Sequence, residues 1–140
     1  MAKLRLTDAG GLDILEVYVA AGGFSVELFV DAGATQDGQA VRELATGGGY
    51  AEIDLDAVAS ASSLISGVPT MEWDDIEFTF TGPLTNAVNK AIKGISILRG
   101  ATIIVEQLLT TPYTPVAGGF LRVSPLMKLG NVPGYTADPA

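Results

Sequence analysis

Phe24-Ser25-Val26-Glu27-Leu28-Phe29-Val30 puts an apolar residue at every second position, Phe24, Val26, Leu28 and Val30, with Ser25, Glu27, Phe29 and then Asp31 between them. Period-two alternation among β-branched and aromatic residues is the mark of a half-buried strand, so this stretch predicts a strand and points to a mainly β chain. Gly22-Gly23 ends whatever precedes it, and Asp31–Gln39, rich in Asp, Gly, Thr and Gln, predicts a loop.

Upstream, Thr7 and Asp8 can accept hydrogen bonds from the free amides of a first helical turn, and Leu12, Leu15 and Val19 recur at helical spacing. One N-terminal helix is expected there, although Gly10, Gly11 and the run Val17-Tyr18-Val19 are poor helix formers. Downstream, Val41–Leu44 reads either as a brief helical turn or as an extended lead-in to the corner at Gly47-Gly48-Gly49. From Tyr50 the chain alternates again, with Tyr50, Glu52, Asp54 and Asp56 on one side and Ala51, Ile53, Leu55 and Ala57 on the other, which predicts a strand with one wet acidic face.

Ala59–Gly67 carries little charge and is expected to be a surface loop. Val68–Trp73 and Ile76–Thr81 predict two short strands around Asp74-Asp75, the second stopped by Gly82-Pro83. Ala91–Leu98, Thr102–Leu109 and Phe120–Leu129 predict three more, with Arg99-Gly100 as the tight corner between the first two. Pro112, Pro115 and Gly118-Gly119 argue against a continuous strand over Thr110–Gly119 and predict a projecting loop. The tail from Gly130, with Pro133, Gly134 and Pro139, is expected to fray or to lie on a neighbour. The expectation is one β-rich domain over residues 1–129, a β-sandwich or jelly-roll-like fold with one short N-terminal helix, followed by an irregular tail over 130–140.

Composition narrows the chemistry. Histidine and cysteine are both absent, so the chain lacks the usual general base near neutral pH, the usual zinc ligands and the most nucleophilic side chain. No disulfide can form, which fits synthesis in a reducing cytoplasm. Net charge is −8, a surface that repels phosphate backbones and anionic lipids, so neither a nucleic acid nor a membrane is expected as partner. Residues 1–80 hold 14 acidic and 3 basic side chains, against 2 and 5 in residues 81–140. This asymmetry can be neutralised within one subunit or across a head-to-tail contact. Only 17% of residues are charged, against an average of about 25%, which predicts burial of surface between subunits. Met1–Leu6 runs into Thr7 and Asp8 rather than into a sustained apolar segment, so no signal peptide is expected. Ile95–Leu109 is broken by Arg99 and Glu106 and is too short to span a bilayer.

The residues that could still do chemistry make weak motifs. Gly47-Gly48-Gly49 lacks the flanking Lys-Ser/Thr of a phosphate loop and precedes a strand rather than a helix. Asp54 with Asp56, or Asp74-Asp75 with Glu72 or Glu77, could meet a hard cation, but no spacing matches a recognised calcium loop and a solvated acidic face is the expectation. A carboxylate pair able to hydrolyse a glycoside would be accompanied by aromatic platforms, whereas Trp73 is the one tryptophan and is expected to anchor either the core or an interface. Ser96, Ser124, Lys90 and Lys93 form no Ser-x-x-Lys frame. Lys90, Lys93 and Arg99 are scattered solvated charges rather than a nucleic-acid platform. No metal, cofactor or catalytic residue is therefore expected.

The order of phrases along the chain carries more. Leu4-Arg5-Leu6-Thr7-Asp8-Ala9-Gly10, a helix, Ser25–Val30, Gly47-Gly48-Gly49-Tyr50-Ala51 and Phe78-Thr79-Phe80-Thr81-Gly82 together resemble small virion structural proteins of tailed bacteriophages. In such proteins an Ile-x-Gly-Ile or Gly-Tyr stretch, a strand like Ile103-Ile104-Val105-Glu106-Gln107, a Pro-containing loop and a strand like Leu121-Arg122-Val123-Ser124-Pro125 follow in that order. The resemblance spans Leu4 to Leu129, with extra residues between Leu55 and Met71. It implies a non-enzymatic capsid decoration (cement) protein on the outside of the virion, a homotrimer bound to the major capsid protein, or else a small tail, fibre or head-fibre component. Tyr113, Pro115 and Tyr135 are the candidate protein-contact residues, because they stand in irregular segments with no evident core role.

Overall fold

Thr7 starts the first element. Its backbone is extended (φ −75°, ψ 161°) and its hydroxyl accepts the Gly10 N–H at 3.0 Å, capping α1, Asp8–Ala20. The helix stops at Gly22 and Gly23, whose φ values of 75° and 91° are open to glycine and rarely to other residues. The structure, a computed structural model, describes residues 6–31 and 43–129. The tail over 130–140 and all but Asp31 of the Asp31–Gln39 stretch lie outside the described residues.

The opening alternation forms β1, Phe24–Phe29, with Phe24, Val26 and Leu28 buried on one face. On one side β1 pairs with β2, Ile53–Asp54, and on the other with β6, Ile92–Arg99. β6 turns through Gly100, at φ 61°, into β7, Thr102–Tyr113, which gives an antiparallel four-stranded sheet in the order β2-β1-β6-β7. On the far face of this sheet, Gly94 lies under the Phe29 ring so closely that any Cβ there would overlap it.

The second layer is built from β3, Ser60–Ile65, and β4, Val68–Trp73, joined by a two-residue turn in which Ser66 and Gly67 both have positive φ, 51° and 75°. β9, Leu126–Lys128, pairs with β4, while β8, Phe120–Val123, pairs with β5, Ile76–Thr79. These two sheets are one ribbon with a joint. Glu72 faces Leu126 and Ile76 faces Val123, so β4–β5 carries one more residue than its partner across the junction. That extra residue at Asp74-Asp75 is a β-bulge, and it explains why the core-facing positions change from Met71 and Trp73 to Ile76 and Phe78. Trp73 N–H donates to the Pro125 carbonyl at 3.0 Å, and the Ser124 hydroxyl donates to Asp75 Oδ1 at 2.6 Å, fixing the bend.

The core lies between the two layers. Val26, Leu28 and Ile97 of the four-stranded sheet meet Met71, Trp73, Phe78, Val123 and Met127 of the ribbon, and Leu15 of α1 closes one end. Phe24 packs against Tyr18 and Trp73 at ring separations of 5.2 and 6.0 Å. Each such side chain contributes roughly 1.5–3 kcal/mol by leaving water. The chain is thus mainly β, with one helix near its N-terminus, as the alternation predicts.

Four boundaries differ from the sequence reading. Ala59–Gly67 is not a loop: Ser60–Ile65 is strand β3, formed because β4 pairs with it along its whole length. The alternation from Tyr50 to Ala57 yields only the two residues of β2, since Asp54 and Asp56 turn the chain. Pro112 does not stop a strand. β7 continues to Tyr113, and proline is tolerated because β7 is an edge strand, where an amide can be missing. Phe120–Leu129 is split at Ser124-Pro125 by the joint just described.

Candidate functional site

A cleft of about 560 Å³ lies between the end of α1, the Leu55–Val58 turn and β3. Its floor is Phe24, Leu55, Met71 and Trp73, and its rim carries Glu16, Asp56, Ser60 and Ser62. Asp56 is held by the backbone it caps: its carboxylate accepts Gly23 N–H at 2.7 Å and Phe24 N–H at 3.1 Å. Asp54 in turn accepts Asp56 N–H at 2.8 Å. Across the cleft, the Ser62 hydroxyl donates to Glu16 Oε1 at 2.6 Å. Among the described residues no basic side chain lines the cavity, so its mouth is anionic and its floor apolar.

A second acidic feature crosses the outer face of the four-stranded sheet. The pairing of Ser25 with Asp54 and Val26 with Ile53 sets Glu27 beside Glu52, and Glu27 is directly opposite Ser96, which is opposite Glu106. Burial raises the Glu27 pKa above its ordinary value, and the neighbouring Glu52, by hydrogen bond and by charge, raises it further. Tyr50 stands beside this pair. Its Oη accepts Leu28 N–H at 2.9 Å, and its pKa is pushed up to about 12, chiefly by burial, with the charges of Glu27 and Glu52 adding to the effect. The Ser96 hydroxyl is buried and has no hydrogen-bond partner among the described residues.

The residues singled out from sequence are scattered over this framework. Trp73, 5% exposed, is a core residue. Tyr113 is half-buried, with its ring 5.6 Å from that of Phe80, and Pro115 is fully buried. Both therefore have core roles, although the sequence reading found none for them. Tyr135 lies outside the described residues. Asp75 holds the ribbon joint, and Glu77 pairs at the surface with Arg122 at 3.1 Å. Arg99 donates from Nε to the Gly22 carbonyl at 3.2 Å and lays its guanidinium 4.7 Å from the Tyr18 ring centre. Lys90 reaches the Leu84 carbonyl at 3.4 Å. Among the described residues, no three carboxylates gather closely enough to hold a metal ion, and no helix is long and apolar enough to cross a membrane.

Sequence reasoning missed the cleft and also a buried polar clip. Asn86, 6% exposed, accepts Thr46 N–H at 2.9 Å and donates to the Leu44 carbonyl at 2.9 Å and to Glu43 Oε1 at 3.1 Å. The partners are about forty positions apart in the chain, so no local pattern could have announced them. Neither a family model, nor a curated protein, nor a solved structure matches the chain.

Proposed function

We propose that this chain is a non-enzymatic structural protein of a tailed-phage virion, of the capsid decoration type, acting as a homotrimer that covers gaps between copies of the major capsid protein. The observation that carries the docking role is the outer surface of α1. Gly11 and Leu15 are buried on its inner side, yet Ile14 and Val17 on its outer side are 47% and 66% exposed. Ile14 and Val17 form an exposed apolar strip beside the exposed acids Asp13 and Glu16, and such a strip is expected to be covered by a neighbouring subunit or a shell. The side chains otherwise available for chemistry support the same reading. Asp54, Asp56 and Asp75 hold turns and a strand joint, so these acids have structural work in the fold. The virion itself is suggested by the order of sequence phrases from Leu4 to Leu129, which resembles that of small tailed-phage structural proteins.

Cement proteins work by multiplicity, each modest contact being repeated over a symmetric shell. Three-fold positions on such a shell favour a trimer. Counting copies by electron microscopy of particles tests the assignment. Hundreds on the head are expected, whereas three, six or twelve at the tail would move the protein to the tail or fibre class. Sedimentation of the purified protein is expected to give a trimer, and a monomer at high micromolar concentration would argue against burial between subunits.

A further inference from the structure

We propose that the open edge of β3 accepts an extended segment of a partner protein whose lysine or arginine side chain enters the cleft between Glu16 and Asp56. β3 is the edge of its sheet and carries no charged residue over Ser60–Ile65. Natural edges are usually blunted by charge, by proline or by brevity, and this six-residue edge has none of these protections.

The hairpin fixes which backbone groups face outward. In a two-residue antiparallel turn the pair that closes the loop is hydrogen-bonded, here Ile65 with Val68, and hydrogen-bonded pairs then alternate with non-bonded ones. Leu64–Pro69, Ser62–Met71 and Ser60–Trp73 are the non-bonded pairs, in keeping with proline having no amide to offer. The N–H and C=O groups of Ser60, Ser62 and Leu64 therefore point away from β4, and no hydrogen bond from them to another strand exists among the described residues. Their side chains lie on the α1 side of the sheet, where Ser60 and Ser62 line the cleft.

A strand added to this edge would form its hydrogen-bonded pairs with Ser60 and Ser62. The side chain of each partnering residue would then lie on the same face as those serines, at the mouth of the cleft. This is strand addition in which main-chain bonds supply affinity and a side-chain pocket supplies selectivity. Charge decides which side chain enters. Glu16 and Asp56 line the mouth with no basic side chain among the described lining residues, and the long apolar stem of lysine or arginine suits the floor of Phe24, Met71 and Trp73. The inference concerns binding in solution and does not depend on the virion reading.

Trp73, the single tryptophan of the chain, lies in the cleft floor and reports on occupancy. The test titrates the full chain with a capped heptapeptide alternating threonine and lysine, and with its threonine–glutamate counterpart, by Trp73 fluorescence and calorimetry. Saturable binding of the lysine peptide alone is expected, weakened about tenfold by Glu16→Gln, the loss of one charge-assisted contact. Ser62→Pro removes an outward amide and is expected to abolish binding with the circular dichroism spectrum unchanged. Should that variant misfold, a lysine peptide N-methylated at alternate residues blocks the same main-chain pairing and is expected not to bind. Equal binding of the two peptides, unchanged binding when the edge is blocked, or no saturation by the lysine peptide at millimolar concentration would each overturn the proposal. Copy number on particles is read independently, so a failure here leaves the decoration assignment standing.

Discussion

Replacing Asn86 by alanine should be among the most damaging polar substitutions in this chain. The side chain is nearly inaccessible and joins the Glu43–Thr46 segment to the Leu84–Asn86 segment, where Ala45 N–H also donates to Leu28 O of the central sheet. Truncation removes one acceptor from Thr46 N–H and one donor each from the Leu44 carbonyl and Glu43. A neutral hydrogen bond contributes about 1 kcal/mol net and one to a charged group about 1.5–3 kcal/mol. Leu44 is 39% exposed, so water can replace part of what is lost there and the expected cost is about 2–3 kcal/mol. With a urea slope of about 1–3 kcal/mol per molar, the unfolding midpoint should fall by about 0.7–3 M. Asn86→Asp keeps the acceptor but places a second carboxylate against Glu43, so its penalty should shrink as the pH is lowered through the carboxylate range. An alanine variant within about 0.5 kcal/mol of the parent would mean that the clip is solvated and contributes little.

Four further outcomes follow from single residues. Glu27 binds its proton more tightly folded than unfolded, so its contribution favours the fold at low pH and is lost as the pH rises from the ordinary carboxylate value through the raised one. Glu27→Gln should flatten that part of a stability–pH curve and raise stability at neutral pH; an unaltered curve would mean that neither burial nor Glu52 perturbs Glu27. Tyr50 acts in the same sense at alkaline pH, its contribution being lost between pH 10 and about 12, and Tyr50→Phe should remove that loss while costing about 1 kcal/mol at neutral pH by leaving Leu28 N–H without its acceptor. Ser66, at φ 51° in the β3–β4 turn, should give way to asparagine with a gain of a few tenths of a kcal/mol in thermal or urea unfolding, since asparagine tolerates that conformation better. Gly94→Ala should cost at least about 1–3 kcal/mol, because the added methyl meets the Phe29 ring, itself fully buried.

Local signals were legible wherever they were also decisive in three dimensions. The alternation in Phe24–Val30, the cap at Thr7 and the corner at Gly100 each appear in the fold as the residues predict. β3 was hidden because Ser60-Ala61-Ser62-Ser63 has neither alternation nor β-branched residues. It is a strand because β4 offers a ladder, an effect of tertiary context rather than propensity. Pro112 misled for the complementary reason: the rule against proline holds for central strands, and nothing local tells that β7 is an edge. The cleft was out of reach altogether, because its parts come from Glu16–Phe24, Leu55–Ser62 and Met71–Trp73, and only folding brings them together.

The acids show how one residue pattern carries two meanings. Glu52, Asp54 and Asp56 alternate with apolar neighbours and read as a wet face, yet Asp56 lies with its carboxylate on the amides of Gly23 and Phe24, more than thirty residues away in sequence. There it satisfies the amides exposed where α1 gives way to β1. Asp75 does similar work where the ribbon bends, through Ser124. Three of the 14 acids in the first 80 residues, Asp54, Asp56 and Asp75, therefore sit at places where the backbone changes direction, which ties them to the architecture. Glu16 is different. It stands on the exposed side of the cleft, bonded only to a surface serine among the described residues, and its neutralisation by glutamine removes charge without unfastening a turn. That separation is what lets Glu16 report on recognition while Asp56 reports on stability, and a Glu16→Gln chain that lost stability as severely as Asp56→Asn would erase the distinction.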